Sequence, residues 1–148
     1  MTVDQLCSRH RRIAVDANVF IYLFEGSGTL SKVAAVVLDA VSSGRTTGVA
    51  ATITLTEVVV GPVRAGEDTM AERYLDAIRS IDNLHIVPLT AEIAADAGFV
   101  RGRSGLTLAD AIHVATASAA GATALVTNDR RIRATPNLDV VRLSDLVA

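Results

Sequence analysis

One cysteine, no tryptophan, a single lysine and no surplus of positive charge: each shortage in this chain of 148 residues removes a class of protein. With Cys7 alone, no internal disulfide can form and no Cys-rich zinc site can be built. A reducing cytoplasm is the simplest setting for such a chain. Arg, Asp, Glu or turn residues interrupt every apolar run before it reaches the roughly 18 residues of a membrane span, so none is expected. A signal peptide is not expected either. Arg9, Arg11 and Arg12 precede an apolar stretch, but that stretch holds Asp16 and Asn18, ends at Glu25 and has no small-residue cleavage site. The formal net charge of −2 argues against a stable RNA-binding module, which needs a basic balance. It argues less against an enzyme that meets phosphate through metal ions and a few arginines. The basic residues are all arginine except Lys32, a bias that suits bidentate phosphate contact but also follows from codon composition.

What is present points to an ordered α/β domain. Half of the residues are hydrophobic and a fifth are charged, enough to bury a sizeable core in one domain spanning 1–148. Residues 1–11 read as a flexible tail. The patterning predicts strands at 12–16, 47–51, 85–87, 122–127 and 138–141. Helices are predicted at 17–24, 31–42, 54–64, 67–81, 90–103 and 107–120, with Gly26, Gly44 and Ser104-Gly105 as stops. Alternation of this kind implies a parallel sheet covered by helices on both faces, a three-layer α/β/α sandwich.

Four carboxylates stand out against that frame. Asp16 follows the apolar run Ile13-Ala14-Val15, and Asp129 follows Leu125-Val126-Thr127-Asn128; both fall at carboxyl ends of strands, where open parallel sheets bind ligands. Glu57 and Asp110 fall early in helical patterns. Each has a local alternative. Thr54 to Glu57 and Thr107 to Asp110 have capping-box spacing, and Asp129 with Asn128 suits a turn or a helix cap. Asp16 is harder to assign locally. It follows a buried strand, and no Lys or Arg occurs in the next fifteen residues, although a distant Arg partner would also serve. Two carboxylates brought within 4 Å repel by about 4 kcal/mol at an effective dielectric near 20, so convergence would demand a positive charge between them. An all-oxygen set suits Mg²⁺ or Mn²⁺.

The segments Val15-Asp16-Ala17-Asn18-Val19-Phe20-Ile21, Ile53-Thr54-Leu55-Thr56-Glu57-Val58, Leu108-Ala109-Asp110-Ala111-Ile112-His113-Val114-Ala115-Thr116-Ala117 and Leu125-Val126-Thr127-Asn128-Asp129 together resemble the PIN-domain family of metal-dependent ribonucleases. Within it they are similar to the toxins of VapBC-type toxin–antitoxin pairs. The segments occur in the family's order, and with Arg101 before the third block they cover about residues 12–142. The resemblance implies that Asp16, Glu57, Asp110 and Asp129 form an acidic site for one or two Mg²⁺ or Mn²⁺ ions. It implies cleavage of single-stranded RNA to 5′-phosphate and 3′-hydroxyl ends, a homodimer, and inhibition by a small antitoxin that covers the acidic pocket. One departure is visible: many members carry a second acid two positions after the residue matching Asp129, where this chain has Arg131.

Asn18 and Thr127 are candidates to orient the acids, with turn or cap chemistry as the alternative. His113 lies one helical turn after Asp110, but a helix-packed or solvent-facing imidazole is the simpler expectation. Arg101, Arg103, Arg130, Arg131 and Arg133 flank the third and fourth acids. They suit phosphate contact as a group, while an exposed charge or an ion pair is the plainer reading of any one of them. Rival functions are weaker or less specific. A receiver-type phosphoacceptor needs a lysine at a late strand end, and the only lysine is Lys32. A haloacid-dehalogenase-type phosphatase needs an Asp where Asn18 stands. A non-catalytic interaction module of the same fold, or a housekeeping RNA-processing nuclease, would use the same acids differently.

Overall fold

The computed structural model describes residues 1–148, which run α1 (Val3–Arg9), β1 (Arg12–Val15), α2 (Ala17–Glu25), α3 (Thr29–Ser42), β2 (Thr47–Ala51), α4 (Ile53–Arg64), α5 (Asp68–Arg79), β3 (Leu84–Val87), α6 (Ala91–Ser104), α7 (Leu108–Ala119), β4 (Ala124–Thr127) and β5 (Asp139–Arg142), then a 3-10 turn at Leu143–Asp145. The five strands form one parallel sheet in the order β3-β2-β1-β4-β5. Strand pleating sorts the core into two faces. Ile13 and Val15 of β1, with Ala124 and Val126 of β4, pack under α1 to α4 among Phe20, Val37, Val41 and Val58. Ala14 and Leu125 point to the opposite face and meet Val114 and Ala117 of α7. The architecture is the expected three-layer α/β/α sandwich.

Small residues set how closely the layers approach. A Cβ on Gly48 would lie 2.8 Å from Val41 Cγ1, so a larger residue at position 48 would force α3 or its side chains to shift. Gly105 ends α6 in the left-handed region at φ 72°, which turns the chain sharply into α7. No single helix is both long and apolar enough to cross a membrane.

The first eleven residues are not a flexible tail. Thr2 and Gln5 form a capping box for α1, and Val3 and Leu6 are buried in the main core. The backbone amide of Val3 donates to Val147 O, and that of Val147 donates to Met1 O, which ties the two chain ends together. Asp4 pairs with Arg45. Two buried apolar residues in a seven-residue helix are too few to display a periodic signal.

Strand order decides where a site can lie. The chain leaves β1 for β2 and β3 on one side, then crosses to β4 and β5 on the other. The carboxyl ends of β1 and β4 therefore flank the topological switch point of the sheet. Val15 pairs with Val126 in register, which sets Asp16 beside Thr127 at that edge.

Candidate active site

Asp16 occupies the N-cap position of α2 but makes no side-chain cap bond, leaving its carboxylate free to face the switch point. It is only 4% exposed. The Thr127 hydroxyl donates to its Oδ2 at 2.7 Å, and that hydroxyl in turn accepts from Asn18 Nδ2 at 3.2 Å and from the Asp129 amide at 3.0 Å. Asn18 Oδ1 also accepts from the Asn128 amide at 3.3 Å. Asn18 and Thr127 thus orient Asp16 and fasten the loop after β4 to the start of α2. Burial pushes the Asp16 pKa up, and the nearby His113 charge and the Thr127 bond offset this only in part.

Glu57 does not belong to a capping box. The helix α4 begins at Ile53 after Thr52, and the Thr54 hydroxyl is buried without a partner instead of capping. Glu57 Oε1 accepts a hydrogen bond from His113 Nε2 at 2.6 Å, and the same nitrogen lies 3.4 Å from Asp16 Oδ1. His113 is therefore neither helix-packed nor solvent-facing, contrary to the simpler expectation; it is a buried link between two of the acids. Burial alone would lower its pKa. The Glu57 hydrogen bond and the charges of Asp16, Glu57 and Asp110 outweigh that and hold it above the ordinary histidine value.

Asp110 lies in the first turn of α7. Thr107 caps that turn by accepting from the Asp110 amide at 3.3 Å, but the Asp110 carboxylate makes no return bond to Thr107. Its Oδ2 is buried without a hydrogen-bond partner. Burial raises its pKa, and the charges of Asp129 and Asp16 add to the effect. The nearest cation is Arg131, at 3.7 Å.

Asp129 initiates a turn, as its local alternative suggested: Oδ1 accepts from the Arg131 amide at 2.9 Å and from Arg131 Nε at 3.1 Å. The second guanidinium nitrogen donates to Oδ2 at 2.7 Å, completing a bidentate pair. These Arg131 bonds hold the Asp129 pKa below the usual carboxylate range. Among the other arginines, Arg101 donates to Leu106 O at 3.3 Å and Arg103 lies over the Phe99 ring at 5.3 Å.

The four acids thus converge at one edge of the sheet, each pair held by a cation of the chain itself. Asp16 and Glu57 share His113; Asp110 and Asp129 share Arg131. As the side chains stand, no three of them are grouped to hold one ion. That arrangement still fits Mg²⁺ or Mn²⁺, because such an ion takes one or two carboxylates and completes its octahedron with water and substrate phosphate. The donors are all oxygen, and the buried Asp110 Oδ2 is an acceptor that no hydrogen-bond donor satisfies, its one cation being Arg131 at 3.7 Å. Asp16 and Asp110 are the residues suited to hold the ion, with Glu57 and Asp129 beside them.

Known proteins agree with this fold. No curated protein matches the chain in sequence. Among solved structures, VapBC2 from Rickettsia felis bound to a promoter DNA fragment superposes with a TM-score of 0.68 at 20% identity, over 88% of this chain and 98% of that one. A toxin–antitoxin complex from Klebsiella pneumoniae gives 0.62 at 24% identity, over 85% and 94%. The sarcin–ricin-loop-cleaving toxin VapC20 of Mycobacterium tuberculosis gives 0.62 at 18% identity, over 76% and 86%. At such identities the likeness is one of fold. The sequence profile of the PIN domain matches residues 13–138, most of the length, and so the chain belongs to the PIN-domain family.

Proposed function

We propose that the protein is a divalent-metal-dependent endoribonuclease that cleaves single-stranded RNA, acting in the cytoplasm as the toxin of a toxin–antitoxin pair. The observation that carries the reading is the buried Asp110 Oδ2, left without a hydrogen-bond donor, in a cluster with Asp16, Glu57 and Asp129 at the sheet's switch point. Support comes also from the folds of VapBC2, of the Klebsiella complex and of VapC20, a toxin that cleaves RNA at the sarcin–ricin loop. Asp16 and Asp110 would hold Mg²⁺ or Mn²⁺ directly, with Glu57 and Asp129 bound to it directly or through water. Such an ion would supply a water of lowered pKa and positive charge to offset the negative charge growing on the leaving 3′ oxygen. Thr127 and Asn18 keep Asp16 aimed into the site, so little reorganisation is needed when the ion arrives. His113 restrains Glu57 and lowers the repulsion between Glu57 and Asp16.

A small antitoxin that covers the acidic edge, and a second copy of the chain, complete the proposed assembly. Induced expression with and without the neighbouring reading frame, followed by RNA end mapping, tests the toxin reading. Growth arrest that the neighbour relieves, with 5′-phosphate and 3′-hydroxyl ends, is the expected result. Ends confined to the maturation sites of one stable RNA would instead indicate a housekeeping processing nuclease.

A non-catalytic module remains the second reading, because His113 and Arg131 already neutralise the acids from within the chain. Calorimetric titration with Mn²⁺ separates the two. A nuclease gives site-specific heat that Asp110→Asn removes, whereas a pure module gives none in either protein.

A further inference from the structure

Beside the acids lies a cleft of about 620 Å³, between α6, the turn that follows it, the middle of α7 and the loop after β4. Its apolar lining is Val100, Leu106 and Val114, and its basic lining is Arg130, Arg131 and Arg133. No carboxylate lines it, and neither Arg130 nor Arg133 makes an ion pair. In a chain of net charge −2 this is a local excess of positive charge, and of the three arginines only Arg131 has an acidic partner within the chain. Arg131 belongs to both places: it lines the cleft, and its guanidinium lies 2.7 Å from Asp129 Oδ2 and 3.7 Å from Asp110 Oδ2.

We propose that this cleft seats the single-stranded RNA next to the scissile phosphate, with Arg130 and Arg133 on successive backbone phosphates and Arg131 bridging strand and acids. The inference rests on the ribonuclease reading and adds a binding site to it. Guanidinium groups match phosphate oxygens bidentately, and the apolar lining gives ribose and base faces a dry surface. No aromatic side chain lines the cleft, so bases have nothing to stack on there. Contact in the cleft is therefore with backbone and shape, and it is indifferent to base identity.

Fluorescence anisotropy with a labelled single-stranded RNA, in EDTA so that neither metal nor cleavage enters, tests the proposal. For the wild type, log K falls linearly with log salt. In the Arg130→Gln/Arg133→Gln double variant that slope becomes shallower by about 1.4, at about 0.7 for each of two lost phosphate contacts on a single strand. The loss is the same for oligonucleotides of different sequence. Leu106→Glu, which puts a carboxylate into the cleft without touching an arginine, weakens RNA binding as well while circular dichroism stays that of the wild type. An unchanged slope in the double variant overturns the proposal, as does a wild type that binds no RNA. Loss of binding to polyglutamate with RNA binding intact also overturns it, by assigning the cleft to an acidic protein segment. Failure of the ribonuclease reading shows separately, as a wild type that binds RNA but leaves it whole in Mn²⁺.

Discussion

Replacing His113 by glutamine tests whether the acids are held together by a charge inside the chain. Glutamine fills similar space and can still donate to Glu57, so the substitution removes the positive charge more than the packing. The imidazole nitrogen is 2.6 Å from Glu57 Oε1 and 3.4 Å from Asp16 Oδ1. At an effective dielectric near 20 the attraction to Asp16 alone is about 5 kcal/mol before desolvation is subtracted. Breaking a fully buried pair costs about 3–5 kcal/mol. Here Glu57 is 35% exposed, and burial already favours the neutral form of Asp16, so Asp16 can take up a proton instead of remaining a bare charge. A net loss of about 2 kcal/mol follows, which in a domain of this size lowers the melting temperature by about 4–8 °C. Thermal unfolding by circular dichroism at pH 6 in EDTA measures it. The pH dependence has a definite sign. The folded His113 pKa is raised above its unfolded value, so its stabilisation is complete below about pH 6.5 and is lost as pH climbs through the folded value. The gap between wild type and His113→Gln therefore narrows toward alkaline pH. In an Asp16→Asn background the cost at pH 6 shrinks without vanishing, because the Asp16 attraction has gone and the shorter Glu57 contact, at 2.6 Å, remains. A variant that melts within a degree of wild type at pH 6, or one equally damaged in that background, refutes the reasoning.

Asp16→Asn abolishes divalent-dependent RNA cleavage, and circular dichroism shows the fold intact; undiminished activity sinks the catalytic assignment. Arg131→Gln leaves the melting temperature close to that of wild type, because the side chain is 69% exposed, but it tightens Mn²⁺ binding about fivefold or more by freeing Asp129. Calorimetry checks this, and unchanged affinity would show that Arg131 does not compete with the ion. Mn²⁺ at about a hundred times its Kd stabilises the wild type by about 2.7 kcal/mol in thermal melts. Asp110→Asn loses that increment while melting no lower than wild type in EDTA, since the amide removes a charge that burial disfavours and that only the exposed Arg131, at 3.7 Å, offsets. Leu6→Ala costs about 2–4 kcal/mol by chemical denaturation, because Leu6 is fully buried under α1, whereas a flexible tail would give no change.

Which of these features were legible before the coordinates follows from where periodic burial carries information. The strand at 47–51 and the stop at Gly26 could be read to the residue, since alternating runs and glycine ends are local signals. Asp16 stood out as a candidate because a carboxylate after a buried strand has few structural uses. Thr127 and Asn18 followed from their nearness in sequence to Asp129 and Asp16. His113 was hidden by the helix that carries it. Every residue from Ala111 to Thr116 of α7 is buried, so the helical period is saturated and does not say which side chain faces the acids. Its three-residue spacing from Asp110 was the only hint. Arg131 was visible as a departure from the family pattern, but its effect depends on a turn that folds the guanidinium back onto Asp129, and two-residue spacing does not reveal that. These two residues alter the physical account of the site more than the four acids do. A cluster of carboxylates alone needs a metal to exist as a cluster. With His113 and Arg131 inside it, the cluster carries cations of its own, and a divalent ion at the proposed site would have to compete with them.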